Sequence, residues 1–181
     1  APIPPETDFE RIQFGAELLG WEGEGADVEV TALLLRSLRQ LGIHSPVVVL
    51  GHAGFLREAM AGVGRAVAAS LMRALLERRY DAYFSSLDDF HFQKALKNRL
   101  SSIPRLRGNA AKTLEEARAL FGETGPLRDL ELIVQALGDL GLGENLRLDL
   151  ALARELEYYS GPVFEIFSGN AGVSLGGGGR Y

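Results

Sequence analysis

Leu146-Arg147-Leu148-Asp149-Leu150-Ala151-Leu152-Ala153-Arg154-Glu155-Leu156-Glu157-Tyr158-Tyr159-Ser160-Gly161-Pro162-Val163-Phe164-Glu165-Ile166-Phe167-Ser168 holds two strand-like runs with a polar knot between them. In the first run Leu146, Leu148, Leu150 and Leu152 alternate with Arg147, Asp149, Ala151 and Ala153. That period of two marks a strand with one face in a core and the other toward solvent. A second strand is expected over Pro162 to Ser168 and a third over Gly172 to Leu175, joined by the turn-like Gly169-Asn170-Ala171. The knot from Arg154 to Gly161 is the densest polar cluster inside otherwise apolar sequence. At such a junction Arg and Tyr side chains project over a sheet face, where a guanidinium grips a carboxylate or phosphate bidentately and a phenol closes a pocket. By composition alone it also fits a solvated surface hairpin.

Upstream, Arg11 to Leu19 alternates too, with Ile12, Phe14, Ala16 and Leu18 on one side, and predicts another half-buried strand. Gln13 and Glu17 then share a face four residues apart. An amide and a carboxylate so placed hold an ammonium or an imidazole, or simply form the polar side of an exposed sheet. The period changes over Gly25 to Gly42, where Val30, Leu33, Leu34, Leu38 and Leu41 form a helical stripe and Gly42 a stop. A short apolar strand, Pro46 to Leu50, follows. From about Phe55 the chain reads as four or five helices without a strand, broken near Gly62-Val63-Gly64, Ser101 to Pro104 and Gly122 to Pro126. Asn109 and Thr113 are N-cap candidates, and Pro126 suits the first turn of a helix running to about Leu140.

Strands at both ends, helices between, no regular βαβ alternation and no repeat predict an α+β fold: an antiparallel sheet flanked by helices and carrying a helical insertion. The expected boundaries are 1–56 and 145–181 for the discontinuous sheet core and 57–144 for the insertion. Gly176 to Gly179, read alone, is a flexible loop; the alternative is a backbone that must approach a ligand or a facing strand closely. No Lys-Ser or Lys-Thr follows it, so it is neither a P-loop nor a dinucleotide fingerprint. His52 is expected to cap the next helix or contact a neighbour, Asp27 to complement a helix dipole, and Arg99, Arg105, Arg107 and Lys112 to face solvent.

With 46% hydrophobic and 24% charged residues, the 181-residue chain is neither a disordered tail nor a collagen-like or membrane-spanning one. A net charge of −5 argues against a general phosphate-backbone binder. There is no cysteine, so no disulfide, thiolate metal site or cysteine nucleophile, which fits a reducing cytosolic compartment. His44, His52 and His91 lack ligand-like spacing, and no metal or cofactor is expected. The first residues lack the regions of a signal peptide. The chain begins without Met and stops just after the glycine run, so further residues are expected at both ends.

Together the motifs resemble a known family. Gln13-Phe14-Gly15-Ala16-Glu17-Leu18-Leu19-Gly20 and Ala26-Asp27-Val28-Glu29-Val30 resemble the end of class II motif 2 and the following helix of histidyl-tRNA synthetases. Arg154-Glu155-Leu156-Glu157-Tyr158-Tyr159 with Val163-Phe164-Glu165 resembles the Arg-Gly-Leu-Asp-Tyr-Tyr histidine motif and its Val-Phe-Glu strand. Gly178-Gly179-Arg180-Tyr181 resembles the Gly-Gly-Arg-Tyr beyond it. The middle, Ile103 to Gly108 and Leu114 to Leu120, looks like the insertion of the synthetase paralogue that serves as regulatory subunit of ATP phosphoribosyltransferase.

That resemblance implies a class II synthetase-like sheet whose pocket takes histidine as an effector. Gln13 and Glu17 would hold the amino group and nearby polar atoms, Arg154 the carboxylate, and Tyr159 and Tyr181 the imidazole, with Tyr158 and Arg180 supporting the walls. It implies no catalytic residue in this chain, a short-form catalytic subunit as partner, a homodimer within a hetero-oligomer in the cytoplasm, and no tRNA or membrane. Glu155 stands where the family has glycine and Glu157 where it has aspartate. A side chain after Arg154 would disturb adenylate chemistry, which fits a non-catalytic paralogue. The alternative is a fragment of a synthetase that activates histidine with ATP and charges tRNA.

Overall fold

The computed structural model describes residues 13–154, 158–169, 172 and 174–181. After a loop over 13–23 come α1 (Glu24–Gln40) and β1 (Pro46–His52), then a helical excursion. The excursion comprises α2 (Ala53–Ala59), α3 (Arg65–Leu76), α4 (Tyr80–Asp89), α5 (Lys94–Ser102), α6 (Ala110–Phe121) and α7 (Gly125–Asp139), with the two-residue β2 (Arg107–Gly108) before α6. The chain returns in β3 (Leu146–Asp149), β4 (Pro162–Ser168) and β5 (Ser174–Gly179). The caps follow local chemistry: Asn109 accepts the Lys112 amide, Thr124 accepts the Leu127 amide, and Pro126 sits in the first turn of α7. Gly42, at φ 85°, ends the turn after α1 as its sequence position suggests.

The strands lie in the order β2-β3-β1-β4-β5. The expected α+β architecture is borne out, with one refinement: β1 and β3 run parallel, while β1–β4, β2–β3 and β4–β5 are antiparallel. A parallel neighbour requires a long crossover, and the excursion from α2 to α7 is that crossover. Val48, Leu50, Leu146, Leu148 and Ile166 point to one face of the sheet. They share a single core with Leu35 of α1, Leu71, Tyr83 and Leu100 of the excursion, and Leu130 and Ile133 of α7. On the opposite face Leu152, Tyr159 and Val163 form a small second cluster with Val49 and Ala53 against it.

Several expectations are corrected. Residues 13–19 form a loop, not a strand, and Phe14 is 92% exposed. Alternation sets which side chains share a face, but a strand exists only when a neighbouring edge takes its amides and carbonyls, and none flanks this segment among the described residues. Arg11 and Ile12 lie outside those residues. β3 stops at Asp149 because that carboxylate accepts the Ala151 amide at 2.9 Å and its carbonyl the Leu152 amide at 3.1 Å, which turns the chain. The excursion does contain a strand, β2. Gly176 to Gly179 is not a loop but most of β5, bonded to β4. Of the turn at 169–171, Asn170 and Ala171 lie outside the described residues. Among those described, no helix is long and apolar enough to cross a membrane, and no group of His, Asp and Glu could hold a metal ion.

Candidate functional site

Five of the six sequence-derived site residues gather around the ends of β3, β4 and β5. Tyr159 is buried against Leu152 and Val163. Its ring lies 4.9 Å from that of exposed Tyr158, which in turn meets Tyr181 edge-on at 5.6 Å. The Tyr181 hydroxyl donates to Glu17 Oε2 at 2.9 Å, tying the 13–23 loop to the residue that follows β5 by two positions. That bond is the main reason the Tyr181 phenol is held above its ordinary range. Gln13 is exposed on the same loop and makes no hydrogen bond to the cluster among the described residues. Glu155 and Glu157 lie outside them.

Arg154 reaches across the sheet face. Its Nη1 donates to the Phe164 carbonyl at 3.4 Å, and its Nε is buried without a hydrogen-bond partner in the described structure. A buried guanidinium N–H with no acceptor is a costly state that a ligand carboxylate relieves. The glycines make this reach possible: a Cβ on Gly177 would run into the Arg154 guanidinium and the Phe164 carbonyl. One on Gly179 would come within 2.7 Å of the Pro162 carbonyl and 2.9 Å of the Tyr159 ring. The run is a smooth rail beneath an arginine and a tyrosine.

Behind the site lies an ion network invisible to local patterns. Arg180 pairs with Asp27 of α1, which is 13% exposed, and lies 3.8 Å from Asp129 of α7. Asp129 also meets His52 Nε2 at 3.4 Å, while His52 Nδ1 accepts the Gly54 amide at 3.0 Å and caps α2. From α2, Arg57 donates to the carbonyls of Tyr159 at 3.1 Å and Ser160 at 2.8 Å, fixing the tyrosine turn. Sequence reading named neither Arg57 nor Asp129. Their partners lie on distant segments of the chain, beyond any spacing rule.

The family model described as histidyl-tRNA synthetase matches residues 3–181. The chain belongs to the histidyl-tRNA synthetase family. Within the family it is similar to the ATP phosphoribosyltransferase regulatory subunit of Bacillus velezensis, 34% identical over 97% of this chain and 45% of that one. It is also similar to the crystal structure of an ATP phosphoribosyltransferase regulatory subunit/histidyl-tRNA synthetase from Bacillus halodurans, at 32% identity and a TM-score of 0.83. That likeness covers 90% of this chain and 44% of that one. The ATP phosphoribosyl transferase (HisG:HisZ) complex from Thermotoga maritima contains the same fold, at 15% identity and a TM-score of 0.65 over 87% of this chain and 56% of that one. The chain thus spans less than half the length of the curated relatives it matches, and the resemblance read from its motifs is borne out.

For this synthetase-family core, the buried network makes a pH prediction. Burial lowers the His52 pKa below its ordinary 6.5, against the pull of Asp129. A depressed histidine contributes stability that is present above pH 6.5 and lost as the pH falls through the folded-state value, at up to about 1.4 kcal/mol per pH unit. Burial raises Asp27, and that contribution has the opposite sign, lost as the pH rises through its own folded-state value. The difference between two proteins isolates the imidazole. Urea unfolding between pH 7.5 and 5 should show wild type losing more stability than His52→Gln; equal losses would remove His52 from the account.

Proposed function

We propose that the intact protein is the regulatory, non-catalytic subunit of ATP phosphoribosyltransferase in histidine biosynthesis. It acts in the cytoplasm, as a homodimer within a hetero-oligomer, on the short catalytic subunit, which performs the phosphoribosyl transfer. The likeness to relatives named as regulatory subunits supports the regulatory role. The observation that carries the effector site is the convergence of Glu17, Tyr158, Tyr159 and Tyr181 beside Arg154, whose buried Nε has no partner among the described residues. Histidine binds there with its carboxylate on Arg154, its ammonium toward Gln13 and Glu17, and its imidazole between Tyr159 and Tyr181, Tyr158 backing the wall. The parts are assigned as 1–56 and 145–181 for the synthetase-like core and 57–144 for the insertion. Strands at both ends of the chain, with mostly helices between, support that division.

The test is phosphoribosyl transfer to ATP by the short catalytic subunit, with and without the intact protein, across a histidine titration. Activation that histidine reverses is the expected result. No activation, together with histidine-dependent pyrophosphate exchange by this protein alone, would make it a synthetase instead. The site has its own test. Arg154→Ala is expected to weaken histidine binding about tenfold or more, as loss of a charge-assisted hydrogen bond does, and Tyr159→Phe a few-fold. Unchanged calorimetric affinity in both variants would remove these residues from the site.

A further inference from the structure

On the sheet face that carries the tyrosines, but toward the other end of β4, residues of the helical excursion and of β1, β3 and β4 line an open cavity of about 220 Å³. Its apolar walls come from Val49, Leu75, Leu152 and Phe167. Four charged side chains also line it, and they divide into a closed pair and an open one.

The closed pair is Arg78 with Glu165. The Ser174 hydroxyl donates to the same carboxylate at 3.0 Å, and the Arg78 guanidinium lies 6.0 Å from the Phe167 ring. Arg78 is the non-glycine residue held at positive φ, 53°, among the described residues. Such a conformation costs on the order of 1 kcal/mol and persists where the surroundings enforce it. Here it turns the junction between α3 and α4 so that the arginine closes one side of the cavity.

The open pair is Arg107 with Asp149. These residues face each other in the β2–β3 register, where opposite charges ordinarily close on one another. They make no ion pair among the described residues. Arg107 instead lies over the Tyr80 ring at 5.9 Å. Asp149 spends one oxygen on the Ala151 amide and leaves the other without a cation. Burial raises its pKa, against the positive charges of Arg107 and Arg78, as expected of a carboxyl lacking a direct counter-ion.

The cavity therefore offers a guanidinium and a carboxylate from neighbouring strands beside apolar walls. A simple anion placed there would face Asp149 and Glu165, and a simple cation would face Arg78 and Arg107. A molecule bearing an ammonium and a carboxylate on one carbon satisfies both. The volume lies below the roughly 300 Å³ where pockets for drug-sized ligands begin, and so limits the ligand to a small metabolite. We infer that this cavity is a binding site for a free amino acid, its carboxylate on Arg107 and its ammonium on Asp149. It borders that cluster through Leu152, against which Tyr159 packs, but uses none of Gln13, Glu17, Arg154, Tyr158, Tyr159 or Tyr181, so the inference does not rest on the function proposed above.

The test is calorimetric titration of the intact protein in the Arg154→Ala background with each of the twenty amino acids, sodium acetate and inorganic phosphate. At least one amino acid is expected to bind, while acetate and phosphate give no heat. Adding Arg107→Met or Asp149→Asn should weaken that binding tenfold or more, and Arg107→Lys should weaken it less than Arg107→Met does. Asp149→Asn keeps the oxygen that accepts the Ala151 amide. Should it fail to fold, Arg107→Met, at an exposed position on an edge strand, carries the test by itself. Phosphate binding in place of an amino acid, no amino-acid binding, or unchanged affinity in a well-folded Arg107→Met protein would each overturn the inference. Because Arg154→Ala is expected to weaken the histidine site and neither Arg107 nor Asp149 belongs to it, any of these outcomes leaves that separate proposal standing.

Discussion

A single methyl group at Gly177, exposed though the residue is, is expected to destabilise the protein by about 1–3 kcal/mol, the cost of a steric overlap that forces a backbone shift, and to weaken histidine binding about tenfold. The Cβ of Gly177→Ala has nowhere to go, because it meets the Phe164 carbonyl on one side and the Arg154 guanidinium on the other. The carbonyl belongs to a strand paired on both edges and cannot retreat without breaking ladder bonds. The guanidinium therefore shifts and takes its free Nε with it. Gly25 provides the contrast, since its added methyl meets nothing within 4 Å and its φ is ordinary. Gly25→Ala should be neutral or slightly stabilising in α1. Thermal melts and histidine titrations of the two proteins check both statements. Equal behaviour would mean that the glycine rail does not position Arg154.

Arg180→Ala should cost more, about 3–5 kcal/mol, the usual penalty when one partner of a mostly buried ion pair is removed and the other is left behind. Asp27, 13% exposed, would lose its cation, and Asp129 its nearby one. The negative charge of Asp129 already works against a charged Asp27. Adding Asp27→Asn to Arg180→Ala should return a large part of the loss, because the stranded carboxylate is then gone. Urea unfolding of the two single variants and the double variant measures this coupling. Strict additivity would show that the pair is solvated and contributes little.

Periodicity in the sequence was enough to place α1, β1, β4 and the start of β3, because each has a local apolar pattern. Its failures have physical causes. Residues 13–19 alternate like a strand but lack a neighbouring edge. Of β5 only Ser174 and Leu175 fall within the strand expected over Gly172 to Leu175; the glycines that follow have no side chains to alternate, so no pattern announced the rest. β2 spans two residues, too few for any period. The candidate site divides the same way. Arg154, Tyr158 and Tyr159 stood out as a polar knot between strands, Glu17 by its spacing from Gln13, and Tyr181 came through family resemblance. Asp129 and Arg57 did not appear, because their roles exist only once distant segments meet. Arg107 is exposed, as read, and also lines a cavity, which the sequence does not show for the same reason: Tyr80 and Asp149 lie on other elements.

The position of β1 at the centre of the sheet has a kinetic consequence. Val48 bonds to neighbours of Leu146 and Ile166, on the far side of the whole helical excursion. During synthesis β1 emerges early and must wait for β3 and β4, while its apolar residues have only helices to pack against. Closing so long a loop delays the central strand, and refolding of a chain dominated by such distant pairings is slow. Helix-core residues such as Leu71 and Tyr83 meet before the sheet closes, so truncating them slows folding. Truncations in β4 and β5 leave the folding rate nearly unchanged and hasten unfolding instead.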